Sequence, residues 1–538
     1  MKKVMLCAAS ALAFASCSEA PAPGRDKGAP QSYAAEGVTA MTLPELAAAI
    51  KAGEVTSEAA TAAYIARIEA VDWSGPTLQS VLALNPDALD DARAADAKKQ
   101  SGEPLGLLHG VPILLKDNIE TADPVATTAG ALALKDNITG RDSPLVAGLR
   151  AQGAIILGKT NLSQWANFRS NDSMSGWSAL GGQVKNPHML DRNPCGSSSG
   201  SGAAVAASLA AGAVGTETNG SILCPSTVNG IVGFKPTVGL VSQQYIVPIS
   251  SSQDTAGPMT KTVTGAAMML NAMATGDAKA DYVAALDAAA LSGARIGVLR
   301  FAAGSNADMK ALFEAALDDM AAAGAALIDI EEFEPKTENF WGKARDVLRY
   351  EFKATLNDYL ADAAPAVTVR SLDDLIAFNE ANADVELALF DQSIFVESAK
   401  MNGLDDPEYV KARDDARAAA GADGIDALFA EYDVDILVSP SGPIAPRVDP
   451  VNGDVWPSWA GAGYLAAIAG YPNLTVPMGT VRGLPAGISF IGAKDQDAKV
   501  LSFGYAYEQR SMERVDPQYL PNAEAQPEIA AAMKRKVD

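Results

Sequence analysis

The sequence predicts an α/β fold built on a buried β-sheet. Short apolar runs, Val111–Leu115, Ala154–Leu157 and Ala213–Gly215, are bounded by glycine and by helical segments. That is the pattern of strands covered on both faces. Strand-like runs return late, at Ile436–Val438, Leu474–Val476 and Gly487–Ile491. Between them, Ala266–Asp433 is Ala-rich and mostly helical, with one strand candidate at Arg295–Leu299. The C-terminal third therefore completes the sheet, and the helical stretch is a long insertion or cover.

The elements follow in chain order. Lys2 and Lys3 precede the apolar stretch Val4–Ala15, which is too short for a membrane span of roughly 20 residues and reads as an export signal. Phe14-Ala15-Ser16-Cys17 looks like a bacterial lipoprotein cleavage box with Cys17 as the acylated residue; an ordinary cleaved signal is the alternative. Residues 1–17 are assigned to the signal, and 18–40, rich in Ala, Pro and Gly, to a flexible tether. The expected location is a bacterial envelope, either free in the periplasm or tethered to the membrane through Cys17.

The folded domain is assigned to 41–515. Met41–Val71 reads as two helices. Thr42 and Glu45 form a capping box for the first, and Thr56 or Ser57 caps the second, whose apolar face includes Ala60, Tyr64, Ile65 and Ile68. Ala88–Lys99 is a third helix, and Asp308–Ala323 is an amphipathic helix of the insertion, which spans about 266–433. Residues 516–538 read as a polar, peripheral tail.

Bulk properties narrow the function. The 538 residues carry a formal net charge of −23, which repels phosphate backbones and anionic lipid surfaces. No nucleic-acid partner is expected. There is no CxxC pair and no HExxH motif, so no metal or other cofactor is expected. Apart from Cys7 and Cys17, the cysteines are Cys195 and Cys224. Two small buried thiols are the expectation, although an oxidising compartment would let them pair.

Only two histidines occur, which leaves little scope for histidine acid/base chemistry. Three chain pieces supply a different set. Gly110–Asn118 (GVPILLKDN) ends an apolar run on Lys116, and burial there would lower the lysine pKa enough to make it a base. Pro194–Ala204 (PCGSSSGSGAA) is a Gly/Ser loop entering a small-residue helix, a geometry that exposes backbone N–H groups. Gly215–Ser226 (GTETNGSILCPS) is an apolar strand, a tight turn and a serine. Its successive N–H groups can converge as an oxyanion hole. The second piece also matches G-x-S-x-G around Ser198, but a nucleophile elbow needs a later histidine. His109 and His188 both precede Ser198, so the α/β-hydrolase reading fails.

Together the three pieces resemble the signature of the amidase signature family, over roughly Met41–Arg510 and most strongly from Pro104 to Thr262. The resemblance implies a single large α/β domain whose mixed sheet is covered on both faces by helices, with its catalytic core at about 104–262. It implies a Ser–Ser–Lys triad: Ser221 as the acyl-forming nucleophile, Ser197 as a bridging serine held by a cis peptide bond, and Lys116 as the base. Oxyanion donors would be the backbone N–H groups of Thr218, Asn219, Gly220 and Ser221. Two further patches fit, Gly158–Ala166 and Ser252–Pro258. The first suggests pocket walls at Asn161, Trp165 and Ala166, with Ser198 a further candidate. In the second, Asp254 either orients the site or is structural.

Glu217, Asn219 and Leu223 replace the Asp, the first Gly and the Arg of the common Gly-Thr-Asp-Thr-Gly-Gly-Ser-Ile-Arg pattern, and Ser199 stands where glycine is usual. With Asn193–Ser201 and Val238–Ser242, these departures look like the bacterial peptide amidase branch, which removes the C-terminal amide from peptides. The expected substrate is a peptide amide or another small amide, handled by a monomer or homodimer. Lipid- or aryl-amide hydrolysis is the alternative within the family. A tRNA-dependent amidotransferase role is opposed by the export signal and the acidic charge. A catalytically silent envelope lipoprotein is the alternative of another class.

Overall fold

The computed structural model describes residues 33–276 and 279–535. The signal, Cys17 and most of the predicted tether lie outside them. The main compact unit begins at Ala34, ahead of the boundary at 41. Residues leading into the first helix are held rather than free: Thr39 is buried, and Lys261 Nζ donates to the carbonyls of Thr39 and Ala40 at 3.2 and 3.3 Å.

Thirteen strands are described. They are β1 (Val81–Leu84), β2 (Pro112–Lys116), β3 (Ile155–Thr160), β4 (Trp177–Ser178), β5 (Gly182–Gln183), β6 (Gly212–Glu217) and β7 (Val232–Lys235), then β8 (Thr255–Thr260), β9 (Arg295–Leu299), β10 (Ala326–Ile330), β11 (Ile436–Pro440), β12 (Asn473–Val481) and β13 (Leu484–Ile491). β4 and β5 form a small ribbon; the other eleven form one mixed sheet in the order β1-β3-β2-β6-β8-β7-β12-β13-β11-β9-β10.

β2 runs parallel to both β3 and β6, and β11, β9 and β10 are mutually parallel neighbours. The centre, from β6 to β13, is antiparallel. Every residue of β2, β3, β6, β7 and β8 is buried, as expected where helices flank both faces.

The capping box is present, with Glu45 Oε2 accepting from Thr42 N and Oγ1 at 2.8 Å each. Thr56 Oγ1 accepts from Ala59 N at 3.1 Å. The insertion is less uniformly helical than expected, because β10 joins β9 in parallel at the sheet edge. Only Ile328-Asp329-Ile330 alternates, too short a run to stand out among the surrounding alanines.

The insertion also covers the site. Its helices Phe340–Ala361, Leu372–Ala381 and Ser393–Ala399 pack Phe352, Leu356, Leu375 and Phe395 against Leu134, Trp165, Val247 and Ile249. The tail is anchored rather than loose. Leu190 N donates to Leu520 O at 2.7 Å, and Arg447 pairs with Glu524 at 2.7 Å.

Candidate active site

Lys116 is the last residue of β2 and is wholly buried. Its Nζ lies 2.8 Å from Ser197 Oγ, 2.7 Å from Thr216 Oγ1 and 3.3 Å from Thr216 O. Burial brings its pKa down to about 7, against the opposing pull of Asp254 and Glu217. A lysine in that state can take a proton from a serine at neutral pH.

Ser197 follows a cis peptide bond from Gly196 and is itself fully buried. The residues after it lock it in place. Ser198 Oγ donates to Thr216 O at 3.1 Å and accepts from Thr216 N at 3.2 Å. Ser199, the substitute for glycine, donates to Cys195 O at 2.5 Å, and Ser201 Oγ donates to Val214 O at 3.1 Å. The helix Ser199–Ala206 is buried throughout. Its small residues are required, since a Cβ on Gly200 would lie 2.3 Å from Asn161 O and 2.4 Å from Ser80 O.

Ser221 closes the turn after β6. Gly220 sits at φ +81° with open space where a Cβ would stand, so the strain of any other residue there would be conformational. Among the described residues, the backbone N–H groups of Asn219, Gly220 and Ser221 have no protein acceptor. Three free donors at one turn are suited to a developing oxyanion. Glu217 Oε2 accepts from Ile222 N at 2.8 Å and Leu223 N at 3.0 Å, which fixes the chain on the far side of Ser221. Ser198 N donates to Ser221 O at 3.1 Å, joining the two serine segments. Thr218 Oγ1 donates to Asp254 Oδ1 at 2.5 Å. Asp254 Oδ2 accepts from Ile249 N and Ser250 N at 2.8 and 2.9 Å, so Asp254 staples the 249–254 loop to the turn.

Cys195 and Cys224 form a disulfide, with Cα atoms 5.9 Å apart. This corrects the expectation of two separate thiols. The bridge spans from just before Ser197 to just after Ser221. A 29-residue spacing carries no geometric information, so the pairing was open until the fold placed both residues beside the two serines.

Ser221, Gly220 and Asn219 open into a cavity of about 280 Å³, walled by Phe168, Ile249, Leu348, Trp456 and Trp459. A second cavity, of about 330 Å³, lies against Asn118, Thr216 and Asp254. Ala166 lines both. The other expected pocket residues are not on these walls. Asn161 is buried, accepting from Leu162 N at 2.9 Å and Ser178 Oγ at 2.7 Å. Trp165 packs edge-on against Phe395, ring centroids 5.7 Å apart, and Ser198 is held on Thr216. Trp165, Ala166 and Asn167 all have φ near +50° to +68°, a backbone reversal that the patch Gly158–Ala166 does not announce.

Several contributors escaped the sequence reading. Thr216 was legible in principle as the side chain beside Lys116 in adjacent parallel strands. Leu348, Trp456 and Trp459 carry no local signal. The histidines stand apart from both cavities. His188 is buried with Nε2 2.9 Å from Asn229 O, its pKa down to about 4 through burial.

The fold and the sequence have counterparts among known proteins. The profile described as Amidase matches residues 59–501. The solved structure of native peptide amidase from Stenotrophomonas maltophilia superposes with a TM-score of 0.84 at 46% identity, covering 89% of this chain and 98% of that one. A peptide amidase in complex with the competitive inhibitor chymostatin gives 0.84 and 47%, covering 89% of this chain and 99% of that one. Among curated relatives, a glutamyl-tRNA(Gln) amidotransferase chain from Myxococcus xanthus is 34% identical over 499 residues, 88% of this chain and 97% of its own length.

Proposed function

The chain belongs to the amidase signature family of amide-hydrolysing enzymes, and we propose that it removes the C-terminal amide from peptides, giving a peptide carboxylate and ammonia. The observation that carries the mechanism is the 2.8 Å contact between a fully buried Lys116 and Ser197 Oγ.

Neutral Lys116 draws the proton of Ser197, which takes that of Ser221 as Ser221 attacks the carboxamide carbon. The N–H groups of the Thr218–Ser221 turn hold the oxyanion. The relay then delivers the proton to the leaving nitrogen. The C–N bond breaks, ammonia departs, and water hydrolyses the acyl ester by the same route.

The substrate class is supported by 46–47% identity to peptide amidases across 89% of the chain. The apolar walls at Phe168, Leu348, Trp456 and Trp459 suit the side chain of the residue that carries the amide. The acidic charge argues against the tRNA-linked activity of the Myxococcus xanthus relative. We also propose that the protein is exported, a reading that the Cys195–Cys224 bridge supports because such bonds persist in oxidising compartments.

The test is ammonia release by the purified chain from peptide amides, free asparagine and glutamine, aryl amides and fatty-acid amides, with Ser221→Ala as control. Release confined to peptide amides and abolished in the variant is expected. Release from another class alone would move the substrate, and none from any would make the protein a silent scaffold.

A further inference from the structure

Among the described residues that line the Ser221 cavity, Asp454 alone carries a charge. It stands on the loop between β11 and the helix Gly463–Ala469 and is half-buried. Both of its oxygens are held by neutral groups. Oδ1 accepts from Asn193 Nδ2 at 2.8 Å, and Oδ2 accepts from Ser175 N at 3.0 Å. Burial pushes the carboxyl above its usual range, and only these neutral donors oppose the push. A carboxylate withdrawn from water is ordinarily paired with a cation. This one has neutral partners only, and it borders the space that the acyl half of a substrate would enter.

Two indoles complete the setting. Trp456 and Trp459 follow Asp454 on the same loop, line the same cavity and meet edge to face, ring centroids 5.8 Å apart. Trp459 is 50% exposed, which puts it at the cavity mouth. An indole face attracts an ammonium or guanidinium more strongly than other aromatic rings do. Carboxylate and indoles thus suit one chemistry, a cation on an apolar stem. Phe168 and Leu348 supply apolar wall for that stem. The net charge of −23 works in the same direction, since it draws cations towards the molecule.

We propose that Asp454, with Trp456 and Trp459, selects acyl groups that carry a positive charge: amides of lysine and arginine, or amino-acid amides with a free α-ammonium. The inference rests on amide hydrolysis at Ser221 and names the substrates that this site favours. The cation lies in the acyl half, so the bonds made and broken are those already described. Asp454 also has a bracing role, because Asn193 Oδ1 accepts from Cys195 N at 2.8 Å on the loop that leads to Ser197. Bracing acts on all substrates alike, whereas charge recognition separates them.

The experiment measures kcat/KM for ammonia release in two matched pairs near neutral pH. N-acetyl-lysine amide is set against N-acetyl-norleucine amide, which has a similar stem without the ammonium. Phenylalanine amide is set against its N-acetyl form. Expected is a wild-type preference of at least about 5-fold for the cationic member of one pair. Preference in the first pair places the cation on the side chain, and in the second on the α-nitrogen. Asp454→Asn should bring that pair to within about 2-fold of each other. A smaller wild-type preference in both pairs overturns the inference without any variant. A preference that persists in Asp454→Asn overturns it too, since Asp454 would then only brace the loop. Turnover of all four amides without preference would leave the peptide-amide reading standing. No turnover of any would remove both.

Discussion

Lys116 Nζ lies 2.8 Å from Ser197 Oγ, and among the described residues no carboxylate is in contact with it. The groups in contact with the charged form are two hydroxyls and a carbonyl, with Asp254 and Glu217 favouring it from farther off. With the pKa down to about 7, turnover should rise with pH through roughly 7 and then level off, as the base loses its proton. A rate constant from about pH 5 to 9 would exclude Lys116 as that base.

The same group makes a stability prediction of definite sign. Its folded pKa of about 7 lies below the ordinary 10.5, so between those values the unfolded chain binds more protons. The destabilisation by Lys116 is then full below pH 7 and relieved as pH rises toward 10.5. Lys116→Met should be inactive and should melt above wild type at pH 6, with the difference shrinking by pH 9. Thermal unfolding at the two pH values checks this; a variant that melts below wild type at pH 6 contradicts it.

Ser221→Ala and Ser197→Ala should each lose turnover by roughly 10³-fold or more, since members of a relay fail together. Steady-state assay of ammonia release decides it. Wild-type rates in Ser221→Ala would refute the acyl-enzyme.

Thr216 Oγ1 accepts from Lys116 Nζ at 2.7 Å. Thr216→Val removes an acceptor from the ammonium, so the rising limb of the pH profile should move to lower pH while the plateau falls, by about 10-fold. Thr216→Ser should restore both. A lower plateau with an unmoved limb would mean that the hydroxyl only packs.

Reduction, or Cys195→Ser, should cost about 2–4 kcal/mol of unfolding free energy and leave most turnover intact at 25 °C, because the hydrogen bonds of Ser198 and Glu217 still hold the two serine segments. Urea denaturation with and without reductant measures it. An unchanged midpoint would show that the bridge contributes nothing to stability.

The chemistry was legible where it is local in sequence. Lys116 ends an apolar strand, Gly220 permits the turn before Ser221, and Glu45 answers Thr42 three residues away. The cavity walls were not, since they come from segments far apart. Leu348 arrives on an insertion helix, and Trp456 and Trp459 on a loop near the C-terminus. Asn161 and Trp165 lie within a few residues of Ala166 but face packing: Asn161 is held by Leu162 N and Ser178 Oγ, and the backbone reverses at positive φ at Trp165. The edge strand Ala326–Ile330 was hidden by its alanine-rich neighbours.

The helix Phe340–Ala361 carries Leu348 on the wall of the Ser221 cavity and Thr355, Asp358 and Tyr359 on that of the other. At 1.5 Å per residue these positions span roughly 17 Å of one rod. The reacting groups sit on the sheet and its loops, while this rod comes from the insertion. The two cavities thereby share one wall element. Displacing this one helix would alter both cavities at once, and through Glu351, which accepts from Ser252 N and Oγ at 3.0 Å each, it would also pull on the loop that Asp254 ties to the catalytic turn.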